Sequence, residues 1–357
     1  MRIDWKRGMA YWFIHFAVEA LCFYTVFHVF KDGSFWWMIA VLYDSLAFAP
    51  QALIGALCER CPKFRPGLIG AILLFVGAGV AVLCSTNVVM AIIGIIILAI
   101  GNAFVHISGA LVTLRVSEGR LSESALFVGG GSFGLITGKM LSKVAGVAFI
   151  PFALMAIASV LICIVDRNMR KADPDCFDFD SNPCKHNLSA DRADGVIILI
   201  LGTVVMVRAY IGYGLPTAWN QTAVQTLFLY IFMGLGKMSG GILADRFGAR
   251  RVGIISCIVA VPMLLVSNNI MWLSLIGVAL FSMTMAITLG GLVSVLKHNP
   301  GVAFGVTTIG LLLGTLPIFF VQMPSRTVCN ILIAVLSLLA ALGIWYTMRA
   351  PLRKENS

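Results

Sequence analysis

Charge is what this sequence has least of. Only 12% of its 357 residues are Asp, Glu, Lys or Arg, about half the share found in a soluble domain. An ordinary water-soluble fold is excluded on that ground. Acids are scarcer still, 16 against 26 bases, yet the surplus bases gather in no patch, so a nucleic-acid surface is excluded as well. The nine cysteines follow no disulfide-framework spacing. Cys58-Glu-Arg-Cys61 has a metal-like spacing, and Cys176, Cys184 and His186 lie in one polar stretch, but there is no second tight pair, so no metal ion is expected. Gly129-Gly-Gly-Ser-Phe-Gly follows no strand, and no nucleophile motif appears. Neither a nucleotide-driven pump nor an enzyme is expected, and no cofactor is called for.

What is abundant is apolar sequence, 59% of the chain, in runs of about twenty residues, the length that crosses a bilayer as a helix. The runs predict an all-α polytopic membrane protein of twelve spans: 10–30, 35–58, 67–84, 88–114, 123–145, 147–165, 196–215, 222–244, 252–267, 270–296, 301–322 and 327–348. The polar stretch 166–195, rich in Asp and containing Pro174 and Pro183, separates a first bundle (1–165) from a second (196–357). With the N-terminus inside, twenty of the twenty-six Lys and Arg fall on the cytoplasmic side, from Arg2, Lys6 and Arg7 through Arg246, Arg250 and Arg251 to Lys354. Lys31 and Arg326, with Lys143 at the edge, fall outside. The expected setting is the plasma or inner membrane, with both termini and the linker cytoplasmic. Asn187-Leu-Ser matches a glycosylation triplet but lies on the cytoplasmic side and is expected to be silent.

The halves read as weak repeats. Gly130 and Gly134 recur as Gly310 and Gly314, and Gly109-Ala-Leu-Val-Thr-Leu aligns with Gly290-Gly-Leu-Val-Ser-Val. Small residues at that four-residue spacing allow close helix approach, here expected to permit sliding between the bundles. The most distinctive stretch is Gly240–Arg251, Gly-Gly-Ile-Leu-Ala-Asp-Arg-Phe-Gly-Ala-Arg-Arg, squeezed between two apolar runs. So short a link demands a tight turn, with Gly248 supplying φ > 0. It also places the Asp245 carboxylate where it can meet a helix N-terminus or a base. Gly241, Leu243, Asp245, Arg246, Gly248, Arg250 and Arg251 resemble the loop signature of the major facilitator superfamily of transporters. The first-half counterpart, Gly55 to Arg65, keeps only Gly55, Glu59 and Arg60.

That resemblance implies two pseudo-symmetric six-helix bundles and transport of a small molecule by alternating access, with Gly240–Arg251 as a gating loop. It also implies that spans 1, 4, 7 and 10 line a central cavity. A second resemblance, over Gly101–Leu141, is to the fosmidomycin-resistance branch. Ala103, His106, Gly119, Arg120, Val128, Gly129, Gly130 and Gly134 fit it, while Ile107-Ser108-Gly109 and Lys139 stand where that branch has an acid and a proline.

Ionisable residues inside spans are costly and therefore candidates for function. Glu19, with His15 one turn before it on the same face, is expected to titrate the coupling proton. Arg208, near Tyr210 and Tyr213, is expected to hold an anionic group. Asp44, Lys139 and Lys237, the last two turns after Tyr230, read equally as binding groups or as a fixed ion pair that latches a gate. His106, one turn from Asn102, reads as a proton relay or as a packing histidine. Trp36, Trp37 and Tyr43 read as an interfacial belt. The expectation is a monomeric, proton-coupled carrier of a small anionic solute. A proton-antiport efflux pump and a non-transporting receptor on the same fold are the rival readings.

Overall fold

The computed structural model describes residues 4–31, 33, 35–185, 195–214, 217–266, 268–321 and 325–348. His186, Arg192, the Asn187 triplet and the basic residues from Arg349 onward lie outside the described residues.

Fourteen helices build the described structure: α1 (Trp5–Phe30), α2 (Trp36–Phe48), α3 (Gln51–Arg60), α4 (Pro66–Leu83), α5 (Val88–Val116), α6 (Ser122–Leu141), α7 (Phe149–Ala172), α8 (Gly195–Gly214), α9 (Ala223–Phe247), α10 (Ala249–Leu265), α11 (Met271–Ser282), α12 (Thr284–Val295), α13 (Pro300–Phe320) and α14 (Arg326–Thr347). They form twelve spans, because two spans are broken. Pro50 removes a backbone donor between α2 and α3, and the Gln51 side chain donates to the Ala47 carbonyl at 2.7 Å. Between α11 and α12 no proline intervenes. There Thr284 and Thr288 hydroxyls donate back to Phe281 and Thr284 carbonyls at 2.9 Å, competition that bends helices. Ten spans are long and apolar enough to cross a membrane. The other two are α10, with 17 residues, and α6, whose glycines and serines are almost all buried in protein. α7 runs past the expected end of its span to Ala172, carrying Asp166 and Arg170, which pair at 2.9 Å.

The two halves repeat one packing. Gly130, Gly134 and Gly138 of α6 lie against the backbone of α1 at Trp12, Phe16 and Ala20, with no room for a Cβ. Gly310 and Gly314 of α13 lie in the same way against α8 at Gly202 and Met206. These glycines therefore fuse helices within each half rather than slide between halves. The seams between halves are α6 on α9 and α3 on α13. They use other glycines: Gly55 meets Gly301, Gly305 meets Ala52, and Gly241 meets Ala125 and Leu121.

Both halves are clasped at the end that carries the start of α1, the end of α14 and the linker. There Arg170 donates to the Pro62 and Phe64 carbonyls at 2.7 and 2.8 Å. Arg115 donates to Asn182 O at 2.7 Å and covers the Phe179 ring at 4.3 Å. In the second half, the Cys184 N–H donates to Lys297 O at 2.9 Å and His298 Nδ1 to Phe179 O at 3.1 Å.

If the α1–α6 contact fuses the first half, Gly134→Val destabilises it by about 1–3 kcal/mol, the usual cost of overpacking. It lowers the thermal transition in detergent, while Gly79→Val, where nothing lies within 4 Å, leaves it nearly unchanged. Equal shifts for the two would refute the fusion.

Candidate functional site: a central cavity closed at one end

The Gly240–Arg251 loop joins the two halves at one end of the molecule. α9 ends at Gly248, whose φ of 91° is open to glycine and strained for other residues, so α10 begins at once. One turn earlier, the Asp245 carboxylate accepts from the Leu121 and Ser122 N–H groups at 2.8 and 2.9 Å, and from the Ser122 hydroxyl. It thus caps the N-terminus of α6 from the opposite half, where unpaired N–H groups and the helix dipole favour an anion. Glu123, buried in the first turn of α6, accepts from Arg120 at 2.6 Å and from the Asp4 N–H at 2.9 Å. The first-half loop works the same way despite its eroded motif. Glu59 accepts from Gly301 N–H at 2.7 Å, Val302 N–H at 3.3 Å and the Asn299 amide at 3.1 Å, capping α13 from the opposite half. Arg246 and Arg250 lie over the Phe247 and Trp345 rings at 5.4 and 5.2 Å, and Arg251 is exposed.

Above these caps, Phe127 and Phe304 meet across the halves with centroids 5.9 Å apart. A cavity of about 350 Å³ opens above them, reaching Phe27, Trp36, Lys139 and Phe319 at the opposite end of the bundle. Its wall includes Glu19, His15, His106, Asp44, Tyr43, Tyr230, Lys237 and Lys139. Asp44 forms no ion pair with Lys139 or Lys237 among the described residues. Lys237 donates to Ser132 Oγ at 2.8 Å, and Lys139 lies over the Phe27 ring at 5.4 Å. The fixed Asp–Lys latch is therefore not formed in this conformation.

At the deep end of the cavity α1 and α5 bring three groups together. Glu19 Oε1 accepts from Asn102 Nδ2 at 3.0 Å and lies 3.4 and 3.8 Å from Nε2 of His106 and His15. The two Nε2 atoms are 2.8 Å apart. His15 Nδ1 is 2.7 Å from Phe127 O, and His106 Nδ1 is 3.0 Å from Asn102 O. Carbonyls only accept, so both Nδ1 atoms carry hydrogen and both neutral rings turn lone pairs on one another. Close approach of two lone pairs and a carboxylate requires a positive or hydrogen-bearing occupant among them. Gly131 leaves the space that the His15 ring fills. Tyr43 is buried, its hydroxyl 2.8 Å from Asn102 Nδ2, so it belongs to this cluster rather than to an interfacial belt.

Arg208 lies beside this cavity, not in its wall. The packing that sets Gly134 against Glu19 sets Gly314 against Ala209. Ala209 is thus the α8 counterpart of Glu19, and Arg208 is turned one position away. Its guanidinium is buried, with Nε and one Nη without a hydrogen-bond partner among the described residues. It faces a side pocket of about 30 Å³ that shares Lys237 and Tyr213 with the main cavity.

Among the described residues, only His15, Glu19 and His106 converge as a possible metal-ligand set. The loop and linker cysteines form none with the residues described, and burial pushes the Cys184 thiol up to about 12 and Cys176 upward too.

No family model and no curated protein matches the sequence. Solved structures do match. The E. coli fucose:proton symporter FucP superposes with a TM-score of 0.68 at 14% identity, covering 96% of this chain and 98% of that one. The proton:xylose symporter XylE gives 0.64 at 14% over 96% of each chain. The human organic anion transporter MFSD10 gives 0.62 at 12%, over 97% of this chain and 100% of its own. This is the major facilitator fold. The chain is a multi-pass helical membrane protein built as two pseudo-symmetric bundles of six spans.

Asp245→Ala removes three charge-assisted bonds from the seam, each worth about 1.5–3 kcal/mol. It should shift the population toward opening at the linker end by tenfold or more, read as longer spin-label distances between Lys63 and Lys297. An unchanged distance distribution would show that the cap does not hold the seam.

Proposed function

We propose that this protein is a secondary active transporter that carries a small anionic organic solute by alternating access, coupled to protons. The observation that carries the anionic reading is Arg208, a buried guanidinium with unpaired N–H groups whose side pocket it shares with Lys237. A buried charge so placed is stabilised by an anion that supplies the missing acceptors. Alternating access is supported by the cavity, which is sealed at the linker end by the Asp245 and Glu59 caps and reaches the other end. The halves 1–165 and 196–357 act as the moving bodies. Two of the structural neighbours are named as proton symporters and one as an organic anion transporter, which supports the class.

The charge distribution along the chain supports a cytoplasmic linker end in the plasma or inner membrane. On that reading the conformation is outward-facing. The coupling proton is held among Glu19, His15 and His106, where the hydrogen-bond inventory lacks one. The charged and titratable groups facing Glu19 from neighbouring helices are His106 on α5, Tyr43 and Asp44 on α2, and Lys237 on α9, with Lys139 further along α6. The protein acts as a monomer.

In proteoliposomes, Glu19→Gln should abolish accumulation driven by a pH gradient while leaving solute exchange intact; gradient-driven uptake at the wild-type rate would sink the coupling role. Arg208→Ala should weaken anionic solutes at least about 30-fold, or about 2 kcal/mol, and spare neutral analogues. Equal losses for both would reduce Arg208 to packing.

A further inference from the structure

The cluster at the floor of the cavity has a property that proton exchange does not need. Its three atoms, His15 Nε2, His106 Nε2 and Glu19 Oε1, are 2.8, 3.4 and 3.8 Å apart. A triangle with those sides has a circumcentre about 2.0 Å from every corner, which is the length of a zinc–nitrogen or zinc–oxygen bond. The ring centroids of the two histidines are only 4.4 Å apart, at an interplanar angle of 83°. That is closer than a head-to-head N–H···N bond of 2.8 Å would set them. The two rings are therefore bent away from a linear N–H···N axis, a bend that two imidazoles sharing one ion also require.

The surroundings are those of a ligand set. Each imidazole gives its other N–H to a backbone carbonyl, Phe127 O at 2.7 Å and Asn102 O at 3.0 Å, which fixes the tautomer that leaves Nε2 free. The Asn102 amide orients the Glu19 carboxylate at 3.0 Å. All three residues are buried, with 5–8% of their surface exposed, so the donors are held without freedom to swing apart. They line the cavity, which leaves the remaining coordination positions open on one side. Asp44 on the same wall adds negative charge to offset a divalent ion beside Lys237.

We propose that His15, Glu19 and His106 bind one divalent transition-metal ion of the zinc class, with its open positions facing the central cavity. Two imidazole nitrogens and one carboxylate suit Zn²⁺, Co²⁺ or Ni²⁺. They do not suit Mg²⁺ or Ca²⁺, which take oxygen ligands, or Cu⁺, which takes sulfur. A metal and the shared proton exclude one another, since both occupy the same point. The site goes beyond the transport reading and does not depend on it.

The test uses the untagged full chain in detergent, stripped with chelator and titrated with Co²⁺ at neutral pH. The expected result is one equivalent of Co²⁺ bound, with visible d–d absorption and no near-ultraviolet thiolate band. Zn²⁺ displaces it and Mg²⁺ does not. His15→Ala, His106→Ala and Glu19→Gln each weaken binding by more than the ~10–100-fold that loss of a second-shell partner costs. No bound Co²⁺, a thiolate band, or unchanged affinity in a folded His106→Ala protein would overturn the proposal. If the variants do not fold, the wild-type stoichiometry and spectrum decide it. Binding is read without gradient or flux, so a failure here leaves the transporter reading untouched, and a failure of transport leaves the site untouched.

Discussion

Everything at the linker end depends on a carboxylate meeting a helix N-terminus. Asp245 caps α6 and Glu59 caps α13, each reaching across from the opposite half. The interaction suits a gate. An anion on unpaired N–H groups is strong while the surfaces are in contact. When they part, water can satisfy both partners, so the open arrangement leaves no orphaned buried polar group. The glycines beside each cap bring the backbones close enough for short side chains to reach. These contacts hold the halves together beneath the Phe127–Phe304 floor of the cavity.

Buried polarity inside the bundle has a different logic. Glu19, His15, His106 and Arg208 sit where a charge without a partner costs several kcal/mol. Asn102, two backbone carbonyls and Tyr43 satisfy much of the demand around Glu19. Among the buried polar groups of the described residues, two sets stand out: the close group of His15 Nε2, His106 Nε2 and Glu19 Oε1, and the bare edge of the Arg208 guanidinium. The first lies in the wall of the central cavity and the second in the side pocket that adjoins it.

Much of the architecture was legible in the apolar runs, because a bilayer imposes length and hydropathy on each span separately. The span expected at 35–58 is broken at Pro50, and the one expected at 270–296 before Thr284; apolar length registers neither break, and the second depends on hydroxyl back-bonding that no local pattern announces. The face shared by His15 and Glu19 followed from helix spacing alone. His106 joins them only through the packing of α5 on α1, which no spacing rule supplies. Tyr43 looked like a belt residue because its neighbours Trp36 and Trp37 are aromatic, yet its hydroxyl is drawn inward by Asn102. Arg208 and Glu19 were expected on equivalent helices, which holds, but a one-residue difference in register turns the arginine into a side pocket. The eroded loop after span 2 concealed a cap because Glu59 and the close-packed Gly55 keep the parts that matter.

The glycines of α6 carry one more consequence. On one face Gly130, Gly134 and Gly138 lie backbone to backbone on α1; on another, Gly129 meets the flexible side chain of Met238 and Gly234 of α9 meets the ring of Phe133. The first face has no soft atoms to give way, while the second mixes flexible side chains with backbone, Gly241 of α9 lying against the Leu121 carbonyl and Gly129 against that of Gly234. α6 is therefore keyed to its own bundle by backbone along its length, and to the other by a mixed surface and by the Asp245 cap at its N-terminal end. Any change in how the halves sit on one another would have to repack this mixed surface while leaving the α1–α6 contact whole.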